Sequence, residues 1–226
     1  MDAISTPSTE AQVSAETIGA LINLSGRQRM LSQRIVLQML LASGGDIAAL
    51  DIARNCLSMF ESAHSDLVKG NDRLPGAFSD ALRQLYFGNP RADARIREFI
   101  SHVKTAIDAP SVGTSRRSSS LDRLVAQATP TLEVLQTVTQ VYQEELHHCE
   151  VAVRKRQAEL VERLTGISMH ANIVAMNARI SAARAGEYGR EFSVITQVLA
   201  GIIKEMDQLI RHVVGSGDAS KGSPRI

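Results

Sequence analysis

Residues Ile22 to Arg34 read INLSGRQRMLSQR. Through and around this stretch, apolar and small residues recur at alternating spacings of four and three: Ile18, Ile22, Ser25, Arg29, Ser32, Val36 and Met39. That period puts them on one face of an α-helix, and a helix with such a face is stable only when the face is packed against other helices. Arg29 falls at the middle of it. A guanidinium in a helical seam costs several kcal/mol unless something pairs with it. The nearest acids along the chain, Glu16 and Asp46, lie turns away on any continuous helix. The partner therefore comes from another helix, from solvent reached by snorkelling, or from outside the protein. Ser25, Gly26 and Ser32 are small, so backbones can approach closely there and leave room for a hydrogen-bonding anion.

Outward from this stretch the pattern remains helical. The first helix is predicted from about Val13 to Ala42, stopped by Ser43-Gly44-Gly45. A second begins behind Asp46 as N-cap, carries Leu50, Ala53, Leu57, Phe60, Ala63 and Leu67, and ends near Gly70-Asn71. A third region holds Phe78, Leu82 and Leu85, breaks at Gly88-Asn89-Pro90 and resumes through Ile96, Phe99, Val103 and Ile107. Ala109 to Ser120 is rich in Ser, Pro and Gly and reads as a loop. Then comes the longest pattern, Leu121, Val125, Ala128, Leu132, Leu135, Thr139, Tyr142, Leu146, Cys149 and Val153. Pro130 either kinks this helix or stands at its true start. Beyond Val153 the seam changes phase, continuing as Gln157, Leu160, Leu164, Ile167, Ala171, Val174 and Ala178. Such a stutter is a local unwinding of a coiled coil, and it acts either as a switch or as a packing adjustment.

The expected fold class is all-α: a four-helix bundle over residues 1–150, an antiparallel helical hairpin over 151–214 and a disordered polar tail over 215–226. A net charge of +1 speaks against a broad basic face for nucleic acid. No apolar run is long enough for a membrane span and the N-terminus has no signal-peptide pattern, so a cytoplasmic, non-membrane location is expected. Cys56 and Cys149 are then expected to be reduced. His147, His148, Cys149 and Glu150 are adjacent in sequence, but on a helix they point about 100° apart and cannot converge on one ion. Glu144 and His148 alone make a weak pair. No nucleophile-base arrangement or phosphate-cradling loop is apparent, so neither enzyme activity nor a cofactor or metal is expected.

Two stretches resemble known families. INLSGRQRMLSQR resembles the signature of the PilJ-like and NarX-type nitrate-sensor domain, a ligand-binding module of bacterial chemoreceptors and sensor kinases. The resemblance implies a four-helix bundle that dimerises through its first helix and holds nitrate or nitrite on the two-fold axis. It also implies Arg29 as the charge partner of the anion, Gly26 as the close-approach backbone and Arg34 in support. Ser25 and Ser32 are candidate small polar neighbours. Ile167 to Gln197, ISMHANIVAMNARISAARAGEYGREFSVITQ, resembles the hairpin tip of methyl-accepting chemotaxis proteins, with the reversal at Ala185 to Gly189. That resemblance implies a homodimeric four-helix coiled coil whose Ile173, Glu187, Arg190 and Val194 contact the coupling protein of a chemotaxis histidine kinase. The return helix is expected to carry a seam of Phe192, Ile195, Leu199, Ile202, Met206, Leu209 and Val213. Three positions depart from the tip pattern: Met169 stands for the usual Phe, Ser181 for Glu and Glu191 for Gly.

The leading expectation is a signal-transduction receptor for a small oxyanion. The alternatives are a ligand-free adaptor docking on the kinase array, and a regulator docking on a nitrogen-metabolism factor.

Overall fold

The computed structural model describes residues 13–108 and 119–219. All regular structure among them is helical, as the residue pattern predicts. The helices are α1 (Ala15–Ser43), α2 (Ile47–Lys69), α3 (Asp80–Phe87), α4 (Ala92–Asp108), α5 (Ser119–Arg184) and α6 (Arg190–Ala219), with a 3-10 turn at Gly186–Gly189 between the last two. The chain divides into two compact units, 1–150 and 151–226.

In the first unit, side-chain caps set the helix starts. Ser14 accepts the amide proton of Thr17, Asp46 that of Ala49 and Ser79 that of Leu82, each satisfying a first-turn N–H that has no partner in its own helix. Gly70 ends α2 at φ 80°, where a side chain would strike the backbone of Leu74 to Gly76. The core is continuous from Leu21 and Ile35 of α1 through Phe60 and Leu67 of α2 to Phe99 of α4 and Tyr142 of α5. Pro130 lies inside α5, which starts upstream at Ser119, so this proline is an interior residue of the helix and not its first turn. The expected loop from Ala109 lies mostly outside the described residues, and its last two positions, Ser119 and Ser120, already belong to α5.

Two polar ties cross this core. Tyr142 donates to the carbonyl of Leu67 at 3.2 Å and lies 3.4 Å from the hydroxyl of Tyr86; burial pushes the Tyr142 phenol up to about 12 and Tyr86 still higher, so both stay neutral. His64 is buried, with Nε2 2.8 Å from Asp93, which is also held by the Arg97 guanidinium at 2.9 Å. Burial lowers the His64 pKa below 6.5 and outweighs the opposing pull of Asp93. For Asp93, burial pushes upward, but hydrogen bonds from Arg97 and His64 together hold the carboxyl below its ordinary value.

The unfolded chain protonates His64 near 6.5 while the folded chain does not, so this contribution is complete above pH 6.5 and declines as pH falls beneath it. Asp93 adds to the loss below about pH 3.8. A urea midpoint measured from pH 7.5 to 5.5 is expected to fall, and His64→Gln to flatten the slope in that window. A slope unchanged by the substitution would place the titrating group elsewhere.

In the second unit α5 and α6 face each other mostly through small residues, Ser168, Ala175 and Ala182 on α5 and Thr196 on α6, with the bulky Ile203 buried among them. Ser168 hydrogen-bonds Asp207 across the pair. The expected seams lie about one residue off this one, and Leu160, Ile167 and Val174 on α5 and Ile195, Ile202 and Leu209 on α6 remain exposed. The physical reason is that Ala and Ser let the two helices approach closely, and the bulkier stripes are displaced to the side. Of the expected polar tail from Gly215, the positions after Ala219 lie outside the described residues. Helix α6 continues to Ala219, because Gly215 and Gly217 weaken a helix without breaking it and no proline occurs before Pro224.

Candidate functional site

Helix α1 carries two stripes. The inward one is buried at Ile18, Leu21, Ser25, Gln28, Leu31, Ser32, Ile35 and Met39. Gln28, and not Arg29, stands at its centre. The difference is one residue, about 100° of helical rotation, because Leu21, Gln28 and Ile35 share the core with Ser25 and Ser32. The outward stripe follows the same four-three spacing through Gly19, Asn23, Gly26, Met30, Gln33 and Leu37. Met30 and Leu37 are more than half exposed, and Leu41 extends the stripe.

Arg29 is half-buried at one flank of the outward stripe, and Arg34 is exposed at the other. Among the described residues no carboxylate pairs with Arg29; the ion pairs are Arg54 with Asp51, His64 with Asp93, Arg83 with Asp80, Arg97 with Asp93 and Lys104 with Glu61. Gly26 is half-exposed, and a Cβ built there meets nothing within 4 Å. Its small size is therefore not used by any of the described residues.

Ser25 and Ser32 do not join Arg29 on that flank. Both are 1 % exposed and face the core. Ser25 Oγ donates to the carbonyl of Ile22 at 2.8 Å and lies 3.1 Å from Thr139 Oγ1 on α5; Ser32 Oγ donates to the carbonyl of Arg29 at 2.7 Å. With its one proton committed inward, neither hydroxyl is placed to donate to an anion on the outward side. Sequence spacing missed this because it centred the buried face on Arg29.

At the hairpin tip, the N–H of Ala185 bonds the carbonyls of Ser181 and Ala182 at 3.1 and 3.2 Å and closes α5. Gly186 takes φ 59°, a left-handed conformation that favours glycine. Gly189 is buried against the Ala182 carbonyl, where a Cβ would lie inside van der Waals contact. Ile173, Glu187 and Val194 are exposed, Arg190 is the first residue of α6, and Tyr188 at the apex is 98 % exposed. Tyr188 lies between the two turn glycines Gly186 and Gly189.

The chain matches two chemoreceptor family models. Residues 13–107 match the type IV pili methyl-accepting chemotaxis transducer N-terminal region (PilJ), and residues 114–214 match the methyl-accepting chemotaxis protein signalling domain. The signalling match thus includes the part of α5 that packs in the bundle. Among curated relatives, the methyl-accepting chemotaxis protein McpA of Bacillus subtilis is 26 % identical over 162 residues, 63 % of this chain and 24 % of McpA. Methyl-accepting chemotaxis protein PcaY of Pseudomonas putida is 27 % identical over 174 residues, 73 % of this chain and 31 % of PcaY. Methyl-accepting chemotaxis protein I of Escherichia coli is 38 % identical over 68 residues, 27 % of this chain and 12 % of that protein. The chain therefore spans less than a third of the length of these relatives. No solved structure matches it.

No helix among the described residues is long and apolar enough to cross a membrane, and no group of three or more His, Cys, Asp or Glu among them could hold a metal ion.

Proposed function

We propose that this chain is a dimeric chemoreceptor-like signal transducer that seats a small planar oxyanion, nitrate or nitrite, between the first helices of two copies. The observation that carries the reading is Arg29: a half-buried guanidinium with no carboxylate partner among the described residues, beside an outward stripe in which Gly26 leaves its approach open. Two such stripes meeting about a two-fold axis bury Met30 and Leu37 and bring both Arg29 side chains towards that axis. The planar fork of a guanidinium suits a planar oxyanion better than a spherical halide. Arg34, on the other flank, adds positive potential without needing contact.

The output runs through α5, which is helical without interruption from the bundle to the tip. The bulky residues left exposed beside the hairpin seam, including Leu160, Ile167, Ile195 and Ile202, supply the apolar surface that a second hairpin covers to make a four-helix coiled coil. At the tip Ile173, Glu187, Arg190 and Val194 are the residues assigned to a coupling protein and through it to a histidine kinase. No catalytic step is assigned to the chain.

Isothermal titration with nitrate tests the anion site. Wild type is expected to release heat that saturates, chloride to give less, and Arg29→Ala to lose at least about a hundredfold in affinity, the scale of one charge-assisted bidentate contact. Equal heats from the two proteins would remove Arg29 from the site. The exposed stripes of the hairpin also support a second reading, a coiled-coil adaptor that needs no anion. Capture of the coupling protein that depends on Glu187 and Arg190 and ignores nitrate would favour it.

A further inference from the structure

Gln28 has no solvent exposure, and neither its Oε1 nor its Nε2 has a hydrogen-bond partner among the described residues. A buried primary amide without partners destabilises the state that contains it. The register of α1 against α5 explains the lack. The helices run antiparallel, with Ser25 at Thr139 and Val13 at Cys149. Counted from the Ser25 and Thr139 pair, Gln28 stands level with Leu135, which is buried and apolar, and Gln136, which faces out. Along α5, the buried hydroxyl nearest that level in sequence is Thr139 itself.

Thr139 is already supplied from within its own helix, since its hydroxyl donates to the carbonyl of Leu135 at 3.0 Å. Ser25 likewise keeps the carbonyl of Ile22. Separating these two hydroxyls leaves neither proton unbonded, and it frees an acceptor lone pair on Thr139. We infer that α1 has a second register against α5, displaced towards its own N-terminus, in which Gln28 Nε2 donates to Thr139 Oγ1 in place of the Ser25 hydroxyl. The travel is at most about 4.5 Å, three residues at 1.5 Å each, and the length of the Gln side chain shortens it. The device is a two-position contact between the helix proposed to carry the anion and the helix that reaches the tip. It rests on the proposed function only in taking the anion as the agent that biases the two positions.

The test begins without anion. Gln28→Met keeps size and helix propensity and removes the polar atoms, so it is expected to raise the Tm of the full chain by about 3 to 8 °C. A lowered Tm would mean that the amide is satisfied where it stands, by a bridging water for example, and would overturn the inference. The second arm places spin labels at the exposed Asn23 and Gln140 in a chain with Cys56→Ala and Cys149→Ala, diluted with unlabelled protein. Two distances are expected with Gln28 and one with Gln28→Met. The same single distance in both would contradict a second register. If nitrate leaves the two populations unchanged while Gln28→Met still merges them, the register device stands and the anion reading falls.

Discussion

Gly189→Ala is expected to open the hairpin tip and to cost the second unit on the order of 3 kcal/mol or more. The added methyl group would lie inside contact distance of the Ala182 carbonyl oxygen, which belongs to the backbone and cannot turn away. Relief requires α5 and the start of α6 to separate at the point where the chain reverses. The small residues that let these helices approach, Ala175 and Ala182 on one side and Thr196 on the other, then lose their contact together. Gly186→Ala makes a useful control. That position has open space around it but a φ of 59°, so its cost is limited to backbone strain of about 1 to 2 kcal/mol. Hydrogen exchange of α5 and α6 near the tip is expected to accelerate far more in Gly189→Ala than in Gly186→Ala, while α1, α2 and α4 keep their protection. Equal effects, or the reverse order, would show that the close approach at Ala182 does not hold the turn.

The helices themselves were legible because each signal was local. Asp46 is a short polar side chain before an apolar period, Gly44-Gly45 and Gly70-Asn71 close such periods, and the structure places helix boundaries there; the caps Ser14 and Ser79 emerge only from the structure. The placement of the hairpin reversal was equally local, since the two glycines around Glu187 and Tyr188 leave few other conformations. What could not be read was which of two faces each helix turns towards its own chain. Helix α1 has an apolar period through Leu21, Leu31 and Ile35 and another through Met30, Leu37 and Leu41, offset around the same cylinder. Spacing alone blends the two, and the blend put Arg29 and both serines on one face. The same ambiguity shifted the hairpin seams, since a bulky stripe attracts the eye before an alanine stripe that packs more closely. The tie between His64 and Asp93 was invisible for a different reason: it joins residues far apart in sequence, and nothing near either one marks the other.

Substituting Arg29 is expected to have the other large effect, and through linkage it reaches further than the binding site. Two guanidiniums approaching to about 4 Å repel by roughly 4 kcal/mol at an effective dielectric near 20, which opposes association of the α1 stripes when no anion is present. One monovalent anion between them turns that repulsion into attraction. Binding and dimerisation must then strengthen each other by the same factor. Arg29→Ala removes both the repulsion and the anion's hold, so its dimer is expected to be tighter than wild type without nitrate and indifferent to nitrate when it is added. Met30→Glu, which puts like charges at the centre of the same stripe, is expected to weaken the dimer under both conditions.

Sedimentation equilibrium of wild type and Arg29→Ala, with and without saturating nitrate at constant ionic strength, tests the central claim most directly. The account predicts at least a tenfold fall in the wild-type dimer dissociation constant on adding nitrate, and no change for Arg29→Ala. A wild-type constant that ignores nitrate, or an identical response from the two proteins, would contradict it.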